Sequence, residues 1–200
     1  MPERKDIDLI RETAENRLHT YGDYIKWDDK KRYELIEGRV FELSAAPYRQ
    51  HQRVSGELLR QFANYLLDKD YEVYTAPFDV RLPEGGENDE DILTVVQPDL
   101  VVICDRRKLD ERGCRGAPDL VIEITSPSTA GRDRKIKRDL YERHGVKEYW
   151  LVDYHEKIVE VYLLDNNGVY GKPTVYLEKD LLPVSILEGL QIELEYVFRD

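Results

Sequence analysis

Two proline–aspartate steps in this chain each open an apolar run. One is Gln97-Pro98-Asp99-Leu100-Val101-Val102-Ile103, and the other is Ala117-Pro118-Asp119-Leu120-Val121-Ile122-Glu123-Ile124-Thr125. A carboxylate set into such a run is costly unless something compensates it, and a hard cation is one such partner. Paired as antiparallel strands around a loop centred near Glu111, the two runs bring residues whose numbers sum to 222 face to face, so Asp99 lies opposite Glu123. Directly opposed side chains share a face, with Cβ atoms about 4.5–5.5 Å apart. Two carboxylates at that distance can grip one divalent ion and repel each other without it. Asp119 shares the strand face of Glu123, but four residues of strand span about 13 Å. It is expected to open the strand, not to share the ion. The plainer alternative for Asp99 and Glu123 is a pair of strand-end carboxylates that are solvated or matched with Arg or Lys.

Phosphodiester hydrolysis also needs a positive group beside the attacking water or the phosphate. Lys137 is the candidate. It falls on the helix expected after Glu123, with Asp133 four residues before it and Tyr141 four residues after it on the same face. A surface lysine paired with Asp133 is its plainer alternative.

The elements that must position these groups can be read from periodicity. The first 20 residues read as a charged helical extension, with Ile7, Ile10, Ala14 and Leu18 near helical spacing. Tyr33–Leu43 reads as a hairpin turning at Glu37-Gly38. Val54, Leu58, Leu59, Phe62, Leu66 and Leu67 form one stripe of a helix over 50–67. Strands are expected at Tyr71–Leu82, Val95–Cys104 and Leu120–Thr125, the last two joined by a charged connection holding Gly113, Gly116 and Pro118. A helix from about Asp133 to Arg143, ended by Gly145, leads to strands at Glu148–Val152 and Lys157–Leu164, and Pro183 starts a short closing segment. The expected class is α/β, a mixed central sheet flanked by helices, in one domain over 21–200 after the 1–20 extension.

Bulk properties bound the function. The chain has 200 residues, a hydrophobic fraction of 41%, a charged fraction of 36% and a net charge of -11. Such acidity argues against a protein that coats nucleic acid, since phosphate binding draws on Lys and Arg. Yet Asp105–Arg138 has ten basic against six acidic residues, as suits an enzyme that meets nucleic acid only at its cleft. A solvated loop and helix is the ordinary explanation of that surplus. Cys104 and Cys114 have neither CxxC spacing nor histidines at zinc-ligand spacing, so a reducing cytoplasm is expected. The N-terminal residues contain no apolar stretch of a signal peptide, and no run approaches a membrane span.

The two strand motifs resemble the PD-(D/E)XK nucleases, in which an Asp follows Pro on one strand and the next strand carries Glu-x-Lys. Here Pro98-Asp99 is followed by Glu123-Ile124-Thr125 in a matching order of elements. The chain resembles still more closely the Uma-two family of restriction-endonuclease-like proteins. The matching pieces are YELIEG at 33–38, HQRVSGEL at 51–58, QPDLVVI, APDLVIEITSPST, and the run Arg132–Asp153 containing GVKEYWLVD. The similarity covers nearly the whole chain from about Tyr21. Thr125 stands where the superfamily has its lysine. The closer resemblance moves that lysine to the next helix, at Lys137. It also implies a role for Glu34, in binding a second metal or positioning water. His51, at the helix start, is implied as a phosphate contact or a helix cap.

The resemblance implies a restriction-endonuclease-like core that hydrolyses DNA, as a homodimer if both strands are cut. Mg²⁺, or Mn²⁺ in its place, would sit on Asp99, Glu123 and a main-chain carbonyl near Ile124. Arg106, Arg107 and Lys108 of the loop between the strands are weaker candidates for contact with DNA. So is Lys135, two residues off the Lys137 face. The rival from another class is a catalytically silent nuclease fold that binds or assembles. A third is a metal-dependent hydrolase of another substrate, such as RNA.

Overall fold

A computed structural model describes residues 17–43, 48–125, 131 and 133–199. All but the last few residues of the expected N-terminal extension lie outside that set. In chain order the elements begin with α1 (Tyr21–Tyr24), β1 (Tyr33–Ile36), β2 (Arg39–Glu42), α2 (Arg49–Leu66), β3 (Glu72–Thr75), β4 (Val80–Arg81) and β5 (Val95–Val96). They continue with β6 (Leu100–Ile103), β7 (Leu109–Asp110), β8 (Gly113–Arg115), β9 (Leu120–Thr125), α3 (Arg138–His144), β10 (Glu148–Asp153) and β11 (Ile158–Leu163). The last are β12 (Thr174–Leu177), β13 (Leu181–Pro183), β14 (Gln191–Glu193) and α4 (Leu194–Val197). No helix among the described residues is long and apolar enough to cross a membrane.

The chain divides into two units, and the first draws on Met1–Ala45 and Leu82–Val96. Its centre is the hairpin β1–β2, turning at Glu37 and Gly38 with φ of 53° and 76°. Two successive positive φ values match the right-handed twist of paired strands, which is why glycine follows glutamate there. Leu35 pairs with Val95 of β5 and packs with Tyr21 and Ile92. Glu34, on β1 opposite Phe41, is fully buried.

The second unit draws on Ala46–Arg81 and Gln97–Asp200. Its main sheet has the order β12-β11-β10-β9-β6-β3. β9 and β10 run parallel, and the other pairs are antiparallel. The parallel pair follows from the α3 crossover, since a helix between two strands returns the chain to its starting edge. The Leu100, Val102, Leu120, Ile122 and Ile124 side chains belong to one core cluster, closed by Val54, Leu58, Phe62 and Leu66 of α2 and by the C-terminal segment. Val101, Val121 and Glu123 alternate to the other face, as do Tyr149 and Leu151 of β10, and all five are buried. The near-continuous apolar runs of β6 and β9 thus come from burial on both faces.

Two expected strands are interrupted. Tyr71–Leu82 is two strands, β3 and β4, parted around a cis Ala76–Pro77 bond. Val95–Cys104 is likewise β5 and β6, parted at Gln97-Pro98-Asp99. Proline has no N–H for a ladder, and both breaks fall at one. The connection from Asp105 to Pro118 is more ordered than expected and folds into the short pair β7–β8, with β8 parallel to β4.

Gly113 shows how tightly that connection seats. Its φ is +120°, and an added Cβ would lie 2.3 Å from the Asp79 carbonyl oxygen. Gly113→Ala is therefore expected to cost about 3 kcal/mol. The measurement is the urea midpoint, which should fall with an unchanged slope. A wild-type midpoint would show that this approach is not needed.

Candidate active site

The ladder between β6 and β9 pairs Leu100 with Ile122, Val101 with Val121 and Val102 with Leu120. That is the register in which paired numbers sum to 222, and one further step sets Asp99 opposite Glu123. Asp99 comes just before β6, where Pro98 has ended β5. Its Oδ2 accepts the Ile124 N–H at 2.8 Å, so a side chain extends the ladder where the strand stops. His51, near the start of α2, brings Nε2 to 3.3 Å from the same oxygen. Its Nδ1 is buried without a hydrogen-bond partner among the described residues. The structure therefore places His51 on a carboxylate, a contact that the sequence separation of the two residues concealed.

Glu123 is 4% exposed. Its Oε1 accepts from Lys137 Nζ at 2.8 Å and from the Tyr141 hydroxyl at 2.8 Å. Lys137 is not a surface lysine, since it is only 2% exposed. It closes a π-helical turn, Asp133–Lys137, that leads directly into α3. A π turn carries one more residue than an α turn and recurs at functional sites. Tyr141, one turn further on, was placed on the Lys137 face by spacing, but its bond to Glu123 had no signal in the sequence. Tyr149 of β10 packs 5.0 Å from Tyr141, ring to ring, and its hydroxyl donates to the Asp133 carbonyl at 3.1 Å. Burial, with the nearby Glu123 and Asp133 charges, holds the Tyr149 phenol well above its usual range.

The remaining candidates sit on several elements. Glu34 is in the first unit. Lys135 is exposed on the π turn. Arg106, Arg107 and Lys108 lie past the far end of β6, so the four residues of that strand, about 13 Å, separate their loop from Asp99. The loop's cations also have partners: Arg106 pairs with Glu72 at 2.7 Å, Arg107 with Asp105 at 2.8 Å, and Lys108 donates to the Ala117 carbonyl at 2.7 Å. Asp119 is structural, accepting from the Cys104 N–H at 2.8 Å and from Lys147 at 2.7 Å. Thr125 donates to the Val152 carbonyl at 3.3 Å across to β10. Burial pushes the thiols of Cys104 and Cys114 up to about 11 and about 12, so neither is a reactive thiolate at neutral pH.

Among the described residues no group of three or more His, Cys, Asp and Glu gathers at metal-binding spacing. The candidate donors are two carboxylates and main chain, all hard oxygen, which suits Mg²⁺ or Mn²⁺ and not a soft metal. The Asp99 side chain is 22% exposed, with a path to solvent, and Oδ2 alone takes its contacts among the described residues. Glu123 is matched by Lys137 and Asp99 by His51 and the Ile124 N–H, and this oxygen donor set fits a hard divalent cation.

Comparison with known sequences decides the family. The profile of Uma2, described as "Putative restriction endonuclease", matches residues 21–195. The chain belongs to the Uma2 family. This Uma2 chain is 26% identical over 149 residues to "Uncharacterized protein slr1290" of Synechocystis sp. (strain ATCC 27184 / PCC 6803 / Kazusa), across 73% of its own length and 74% of that protein. A crystal structure of "a putative nuclease belonging to DUF820" from Anabaena variabilis ATCC 29413 is similar with a TM-score of 0.70 and 21% identity, over 90% of the Uma2 chain and 97% of that one. The shared fold is the mixed α/β, restriction-endonuclease-like core.

Proposed function

We propose that this Uma2 chain is a metal-dependent endonuclease that hydrolyses phosphodiester bonds in DNA. One observation supports it above the others. Lys137 reaches Glu123 from the π turn that leads into α3, while the β6–β9 register, carried one step past Leu100, sets Asp99 opposite Glu123. An acid and an ammonium thus pair one ladder step from a second acid, although Thr125 occupies the usual lysine position. Asp99, Glu123 and the main-chain carbonyl near Ile124 would hold Mg²⁺, with Mn²⁺ as a substitute. The bound ion supplies a more acidic water and charge stabilisation at the phosphate. Asp99 is oriented by the Ile124 N–H, and Glu123 by Lys137 and Tyr141. Lys137 orients the attacking water or offsets charge developing on the phosphoryl oxygens, and its burial keeps that field from being screened. Cutting both strands would suit a two-fold pair of chains.

Nicking of a supercoiled plasmid tests this reading. Relaxed circles are expected with Mg²⁺ or Mn²⁺ and not with EDTA. Equal nicking in EDTA would overturn the metal-dependent mechanism. The rival is a silent nuclease fold that binds or assembles. What favours it is that Lys137 already neutralises Glu123 within the protein. A chain that gives neither nicking nor Mg²⁺-dependent heat decides for the rival.

A further inference from the structure

Two donors converge on one oxygen of Glu123, and they differ in kind. Lys137 brings a charge on a flexible stem with three rotatable donors. Tyr141 brings a neutral hydroxyl on a rigid ring that is 0% exposed and packed on Tyr149. The last torsion of a glutamate is broad, so an oxygen must be pinned if the carboxylate is to offer a constant face to a cation. An ammonium does this poorly, because its charge also weakens the attraction of the carboxylate for a second cation. A locked hydroxyl directs without that penalty.

The geometry points to Tyr141 as a positioning residue that holds the Glu123 carboxylate at Oε1 and so sets the metal affinity of the site. The inference rests on the metal-dependent reading above. Partners that orient ligating carboxylates are typically worth about 10–100-fold in metal affinity or activity.

The test is Mn²⁺ binding by the full chain, read as loss of the free Mn²⁺ electron-paramagnetic-resonance signal. Tyr141→Phe is expected to raise the Kd by about 10–100-fold while the near-ultraviolet circular dichroism of the folded protein persists. Tyr149→Phe removes another buried hydroxyl, one bonded to the Asp133 carbonyl at 3.1 Å, and is expected to leave the affinity unchanged. Tyr141→Met removes the same donor with a different filling of its space and should repeat the loss. Wild-type affinity in both Tyr141 variants, with binding abolished in Asp99→Asn, would overturn the positioning role and leave the metal site standing. Equal weakening in Tyr149→Phe would reduce the effect to general loosening, which also overturns it. A wild-type chain that takes up no Mn²⁺ removes the metal reading and this inference together.

Discussion

Asp99→Asn is expected to lower Mg²⁺-dependent plasmid nicking at least about a thousandfold, a loss of roughly 4 kcal/mol of transition-state stabilisation. The choice of asparagine matters. Asp99 Oδ2 accepts the Ile124 N–H at 2.8 Å, and the amide oxygen of asparagine can accept the same bond. The variant removes the negative charge and keeps the ladder extension, so its stability should stay near that of the wild type. Asp99→Ala removes both and should also lose about 1–3 kcal/mol from the buried N–H left without a partner. Comparing the two variants separates chemistry from folding. Rates for Asp99→Asn within tenfold of the wild type would show that this carboxylate is not a ligand.

The register that brings Asp99 and Glu123 together was legible because a strand has a side-chain period of two and both runs are apolar enough to fix which face is buried. The same logic identified Asp119 as a strand opener, and the structure gives it the Cys104 and Lys147 contacts expected of one. Lys137 was legible by helical spacing, but the π turn was not, because one extra residue in a turn leaves no mark in composition. The His51–Asp99 contact joins residues from different elements, and only tertiary packing could reveal it. The basic loop shows the opposite limit. A surplus of charge is visible in sequence, whereas the pairing of Arg106 with Glu72 of β3 is not. The prolines at 77 and 98 were visible as strand breakers, yet the apolar pattern ran through both. Where β-propensity and proline disagree, the missing N–H wins.

The largest stability effect is expected at Lys137. Its ammonium and the Glu123 carboxylate are 3% and 6% exposed at the side chain and 2.8 Å apart. Removing one member of a buried pair strands the other in a poorly solvating interior, at a cost of about 3–5 kcal/mol. Lys137→Met should therefore lose that much, roughly 10 °C of melting temperature for a chain of this size. Glu123→Gln should lose a similar amount by stranding the ammonium. The double variant Glu123→Gln/Lys137→Met removes both charges at once, and replacing a whole buried pair is often near neutral. Its cost should fall well short of the summed single costs, with a coupling of about 2 kcal/mol or more in a double-mutant cycle. Nicking should behave differently. All three variants should lose about a hundredfold or more, including the double variant that recovers its stability. A pair kept only for folding would recover both quantities together. A pair kept for hydrolysis recovers stability alone, and a double variant that nicks as the wild type does would remove Lys137 and Glu123 from the chemistry.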